Sequence, residues 1–167
     1  MSMMTRAAPG GYRFSQIGLH WLAFFAVLFL FFTGDNMSDA FDEMLKSGAK
    51  SIWIPIHIGF GLLVLAAMIA RLALRRRYGV PVPPADQPPA LRLAASGVHA
   101  LFYALLIVAP LVGLIAFFFV PKLGDLHVLL VRMPLMLLVG LHVAGALWHH
   151  FLKRDSVLKR MVQPVST

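Results

Sequence analysis

Residues 127–152 read HVLLVRMPLMLLVGLHVAGALWHHFL, an almost unbroken apolar run with histidine at its start, in its interior and near its end. A helix rising about 1.5 Å per residue crosses the roughly 30 Å hydrocarbon core of a bilayer in about 20 residues, so this run can span one. His127 and His142 are fifteen residues apart. At about 100° per residue that is a net rotation of only about 60°, with an axial separation of about 22 Å. The two imidazoles therefore share one side of the helix at opposite membrane depths. Ionisable groups at such depths are costly, and those that persist are functional candidates.

Three further runs have the same character, at 17–33, 55–74 and 93–120. None shows the period-two alternation of barrel strands. The chain is thus expected to be all-α, an integral membrane four-helix bundle making one membrane domain over 1–167. Composition agrees, with 59% of residues apolar and 13% charged, against about 45–50% and about 25% in soluble domains. The linking segments are short. Segment 34–54 is acidic, and its 38–45 stretch suits a short interfacial helix; 78–90 is a proline-rich connector; 120–126 is a tight turn around Pro121 and Gly124. The first run ends in Phe31-Phe32-Thr33-Gly34-Asp35, without a small-x-small cleavage site, and is expected to remain as a span.

Basic residues set the orientation. Arg6, Arg13, Arg71, Arg75, Arg76, Arg77, Arg92, Lys153, Arg154, Lys159 and Arg160 flank one side of the spans, and only Lys46, Lys50 and Lys122 the other. The positive-inside rule then places both termini in the cytoplasm. This distribution accounts for the net charge of +8, so lipid is the expected neighbour and nucleic acid is not.

With that topology His20 matches the depth of His142, near the cytoplasmic end, and His57 matches His127, near the outer end. Two matched pairs inside a four-helix bundle make two bis-histidine sites, one above the other, in the place where bundles hold cofactors. The absence of cysteine excludes iron–sulfur clusters, Cys-ligated zinc and covalent haem attachment. Zinc needs about four ligands around one point, and no span has a histidine pair at i, i+3 or i, i+4. Two imidazoles from different helices suit a six-coordinate haem iron. Gly59, Gly61, Gly97, Ala144, Gly145 and Ala146 lie close to the histidines and leave room for a flat group, although small residues also serve close helix packing. His99 has no unused partner at its depth, which favours packing or a propionate contact. Any single histidine near a helix end also suits an interfacial residue with its tip in water.

Several motifs resemble the bacterial cytochrome b561 family. They are His20-Trp21, Ile56-His57-Ile58-Gly59, Arg71-Leu72-x-Leu74-Arg75, His99-x3-Tyr103, Ala109-Pro110-Leu111-x-Gly113 and Gly140-Leu141-His142-x6-His149-His150-Phe151. Asp155 and Val157-Leu158-x-Arg160-Met161 follow in register. The resemblance covers nearly the whole chain. It implies two haem b groups in the inner membrane, one on His20 and His142 at the cytoplasmic side and one on His57 and His127 at the periplasmic side. The chain departs from the family pattern in having Val128 where a glutamate is common, in a short loop before His127, and in a fourth-span interval one residue longer than usual, which a bend at Pro134 can absorb.

The expected function is a di-haem b membrane cytochrome passing electrons between a small donor or quinol and the membrane quinone pool. The resemblance adds superoxide oxidation coupled to ubiquinone reduction as a specific form of it. Arg71 is placed to meet a haem propionate, and Arg132 and Lys122 to attract an anionic reactant at the outer face, where the acidic residues from Asp35 to Glu43 oppose attraction. Two alternatives stand beside this reading. One is a haem-bearing membrane subunit that takes electrons from a partner dehydrogenase or hydrogenase. The other is a haem-free, His-lined metal or proton transporter, which the lack of any carboxylate inside the spans disfavours.

Overall fold

The computed structural model describes residues 10–84 and 87–164; Arg6, counted above for orientation, lies outside them. Among the described residues the regular structure is all helical, without strands: α1 (Phe14–Ser47), α2 (Trp53–Tyr78), α3 (Pro89–Phe118), α4 (Leu123–Leu130) and α5 (Met136–Trp148), with a short 3-10 turn at Lys159–Met161. A π-helical turn, Val131–Leu135, joins α4 to α5, and a second, His149–Lys153, continues α5, so Leu123–Lys153 runs as one span. Four spans are therefore long and apolar enough to cross a membrane. Helix is the form that satisfies every backbone N–H and C=O internally where lipid offers no partner.

The first span is longer than expected. Gly34 and the acidic residues after it do not end the helix, and no separate interfacial helix forms at 38–45; α1 continues for 34 residues, about 51 Å. Residues 34–47 thus project beyond the apolar run. The side chains of Asp35, Asp39, Asp42 and Glu43 are exposed and fall within an arc of about 100°, while Phe41 packs on Phe117 of α3 with ring centroids 6.0 Å apart. Gly48 ends the helix in the left-handed region at φ 73° and donates its N–H to the Met44 carbonyl at 2.9 Å, a conformation glycine adopts at little steric cost.

The π-turn at Val131–Leu135 holds one residue more than an α-helical turn would. Pro134 lacks an N–H and cannot complete an α-helical bond there, and a π-turn accommodates one added residue without adding its rotation. The fifteen-residue interval then turns like about fourteen α-helical residues. His127 and His142 are brought to within about 40° of a common face.

A small apolar core of Ala23, Ala26, Val64, Ala67, Met68, Leu106 and Leu135 occupies the middle of the bundle. At one end the chain is tied together by main-chain acceptors. The Trp21 indole donates to the Met161 carbonyl at 2.8 Å, Gln16 Nε2 to Gly79 at 3.2 Å, and Arg160 to Val82 at 2.7 Å. The start of α1, the connector after α2 and the C-terminal segment therefore lie together.

Candidate functional site

The spans bring the four matched histidines together as two pairs. His20 of α1 faces His142 of α5 with ring centroids 6.0 Å apart, and His57 of α2 faces His127 of α4 at the same 6.0 Å. Among the described residues, neither α1 with α5 nor α2 with α4 is a closely packed helix pair. The imidazoles reach across gaps that the backbones leave open. The apolar core lies between the pairs, with Phe29 stacked on Phe60 at 4.3 Å.

These residues fit a haem iron on three counts. Two metal–imidazole bonds of about 2 Å each, extended to the ring centres, give a spacing of about 6 Å, which both pairs show. His57 Nδ1 is buried without a hydrogen-bond partner, a cost of about 1–3 kcal/mol for a polar group that nothing satisfies. A Cβ placed on Gly59, Gly61, Gly97, Gly140 or Gly145 would meet nothing within 4 Å, so open space adjoins the histidines. Among the described residues no group of three or more His, Cys, Asp or Glu could hold a metal ion.

His99 lies beside the first pair, its ring 5.3 Å from that of His142. Its Nδ1 donates to its own helix at the Ala95 carbonyl, 2.7 Å away, as a packing histidine would. Arg71 reaches the Gln16 carbonyl at 3.3 Å. It lies near enough to His20 and His142 to act on them electrostatically. Arg71 is half-buried beside the first histidine pair, and among the described residues no carboxylate pairs with it.

At the other end Arg132 forms an exposed ion pair with Asp35 of α1, so part of the charge expected to attract an anion is already neutralised. Lys122 is exposed where α4 begins and does not join that pair. Three features were not anticipated from the sequence. His127 Nδ1 donates to the Ala109 carbonyl at 2.8 Å, and Gly113 lies against the same ring. His149 is largely covered and holds Asp155 through Nδ1 at 2.5 Å. Burial works against ionisation of Asp155, but the Val157 N–H and His149 outweigh it and hold its carboxyl below the usual range.

Helices long and apolar enough to cross a membrane thus bring imidazoles face to face in the interior of the bundle. Comparisons with known proteins identify the family. A model described as prokaryotic cytochrome b561 matches residues 11–164, and the chain belongs to that family. It is a haem b-binding electron-transfer protein with several spans in the bacterial inner membrane. Similar proteins are a cytochrome b562 of Cereibacter sphaeroides, 30% identical over 92% of this chain and 96% of that protein, and a probable superoxide oxidase CybB of Yersinia pestis, 28% identical over 88% and 93%. Cytochrome b561 homolog 1 of Escherichia coli is 29% identical over 90% and 97%.

Proposed function

We propose that the chain is a single-domain, di-haem b cytochrome with both termini in the cytoplasm. His20 and His142 hold one haem near the cytoplasmic face, and His57 and His127 hold the other near the periplasmic face. The observation that carries this reading is the recurrence of one ring spacing, 6.0 Å, at two depths of the same bundle. When bound, each haem supplies a one-electron ferric/ferrous couple.

The protein's own residues do the rest. The apolar core keeps water from the space between the sites, and Phe29 with Phe60 fills it with aromatic surface. Arg71 supplies a positive charge for a propionate carboxylate, in the setting where a bidentate guanidinium is strongest. At the cytoplasmic edge His149, with Asp155 accepting from its Nδ1, keeps Nε2 free to take or give a proton. A quinone in the lipid needs such a group, because its reduction consumes two electrons and two protons.

The donor we infer is a small anion arriving at the periplasmic face, and superoxide is the form supported by the likeness to a protein named a probable superoxide oxidase. Two superoxide anions each give up one electron to become dioxygen, and one ubiquinone takes both electrons with two protons. Arg132 and Lys122 provide the positive charge at that face. The test is superoxide-driven ubiquinone reduction by the purified protein in liposomes. Stoichiometric quinol formation supports the reading, whereas no quinol from protein that carries its haems contradicts this donor. The 34–47 projection of α1, with its exposed acidic face, favours a second reading, a membrane subunit docked to an electron-donating protein. A soluble subunit retained in stoichiometric amount on purification would establish that reading.

A further inference from the structure

Helix α3 supplies neither histidine pair, yet it holds His127 from two positions one helical turn apart. The Ala109 carbonyl can only accept, so its 2.8 Å contact fixes a proton on His127 Nδ1 and leaves the Nε2 lone pair for a metal. Ala109 is buried, 2% exposed, so water does not compete for that carbonyl. Four residues on, a Cβ at position 113 would stand 3.1 Å from both Nδ1 and Cε1 of the same ring, closer than side chains tolerate without moving. A Cβ placed on Gly59, Gly61, Gly97, Gly140 or Gly145, the other glycines near the histidines, would meet nothing within 4 Å.

Pro110 belongs to the same arrangement. It makes the Ala109 carbonyl part of a tertiary amide, an electron-rich acceptor, and its missing N–H relieves the Leu106 carbonyl of a helical partner. His57, across the site, has no comparable anchor, since its Nδ1 has no hydrogen-bond partner.

We propose that Ala109, Pro110 and Gly113 form a seat for His127, through which α3 sets the occupancy and reduction potential of the haem held by His57 and His127 while leaving the other haem unaffected. The proposal rests on the two-haem reading above. A hydrogen bond at the far nitrogen makes an imidazole a stronger donor, which favours ferric iron. Disturbing the seat weakens that donation and moves the equilibrium toward ferrous. These are positioning residues, acting through His127.

The experiment compares the full-length wild type with Gly113→Ala, Pro110→Ala and, as a control in open space, Gly34→Ala. Each is purified in detergent, its haem counted, its low-spin resonances recorded and each haem titrated potentiometrically. For Gly113→Ala the expected result is selective: one haem is lost, or its equilibrium shifts at least tenfold toward ferrous, about 59 mV for one electron. The other haem stays unchanged, and Gly34→Ala alters neither. Pro110→Ala shifts the same haem in the same direction by a smaller factor.

A wild type with two haems and a Gly113→Ala variant with both resonances and potentials unchanged overturns the seat while leaving the two-haem reading intact. Equal shifts at both haems also overturn it. A wild type with fewer than two haems overturns the reading and the seat together. If Gly113→Ala binds no haem at all, Pro110→Ala decides: a selective shift supports the seat, and no shift overturns it.

Discussion

The imidazoles of His20 and His142 meet with 6.0 Å between ring centroids, although the helices that carry them, α1 and α5, are not closely packed against each other. Side chains that reach toward each other across an open gap are organised around something other than helix association. The same relationship joins His57 to His127 at the same spacing, and the account turns on this repetition.

If each pair holds its own haem, the pairs should fail independently. Replacing His20 or His142 with alanine should lower the haem count from two to one per chain and leave the resonance assigned to His57 and His127 intact. Replacing His57 or His127 should do the reverse. Loss of half the haem from each site in every variant would speak against independent pairs. Pyridine haemochrome assays with low-spin resonance spectra make the distinction.

Arg71 stands near the first pair without a carboxylate partner. A fixed positive charge favours the reduced, less positive iron. Arg71→Gln should therefore lower the midpoint of the haem at His20 and His142 by roughly 60 mV, about tenfold in its equilibrium, and change the other far less. Potentiometric titration of both haems checks the sign as well as the size, and a rise in the midpoint would reject this role.

The Arg132–Asp35 pair is exposed on both sides, with side-chain exposures of 59% and 78%. Such pairs contribute about 0–1 kcal/mol, so Asp35→Asn should barely change the melting temperature. It should raise the reaction rate of an anionic donor a few-fold at low salt, because Arg132 is then unneutralised. That gain should fade once the screening length falls to about 8 Å near physiological ionic strength. Arg132→Gln should lower the low-salt rate. A rate indifferent to both substitutions would remove the anion-attracting role.

Asp155 has a depressed pKa in the folded chain. The sign follows from linkage: a lowered carboxyl pKa contributes stability above the unfolded-state value, and the contribution disappears as pH falls through the folded-state value. Docking of the C-terminal segment should therefore weaken on acidification into the carboxylate range, and Asp155→Asn should flatten that dependence. Limited proteolysis of the segment as a function of pH reads it. Trp21→Phe, which removes the indole bond to Met161, should loosen the same segment by about 0.5–1.5 kcal/mol at every pH.

The spans and the depth-matched pairing were legible because both follow from helix rise and rotation, which are properties of spacing alone. The continuation of α1 past Gly34 and Asp35 was not. Those residues look like the end of a hydrophobic run, but once outside lipid an exposed acidic face with Phe41 packed against Phe117 supports a helix equally well. An irregularity at Pro134 is written in the sequence, since proline has no N–H to give, whereas its π form is a property of the backbone. The Ala109–His127 contact left no trace because its acceptor is main chain, which every residue type carries. The Asp35–Arg132 pair joins positions 97 apart, a separation that no local pattern encodes. His149 with Asp155 depended on the chain reversing at Arg154, which adopts φ 52°, an uncommon conformation for a side chain of its size.

The most direct measurement is a dithionite-reduced minus oxidised absorption spectrum of the purified protein, with haem counted per chain. Two b haems per chain are predicted, both low-spin with bis-imidazole ligation. A single haem would contradict the pairing of His57 with His127 as a second site. Folded protein with no haem, expressed with ample haem, would contradict the account as a whole.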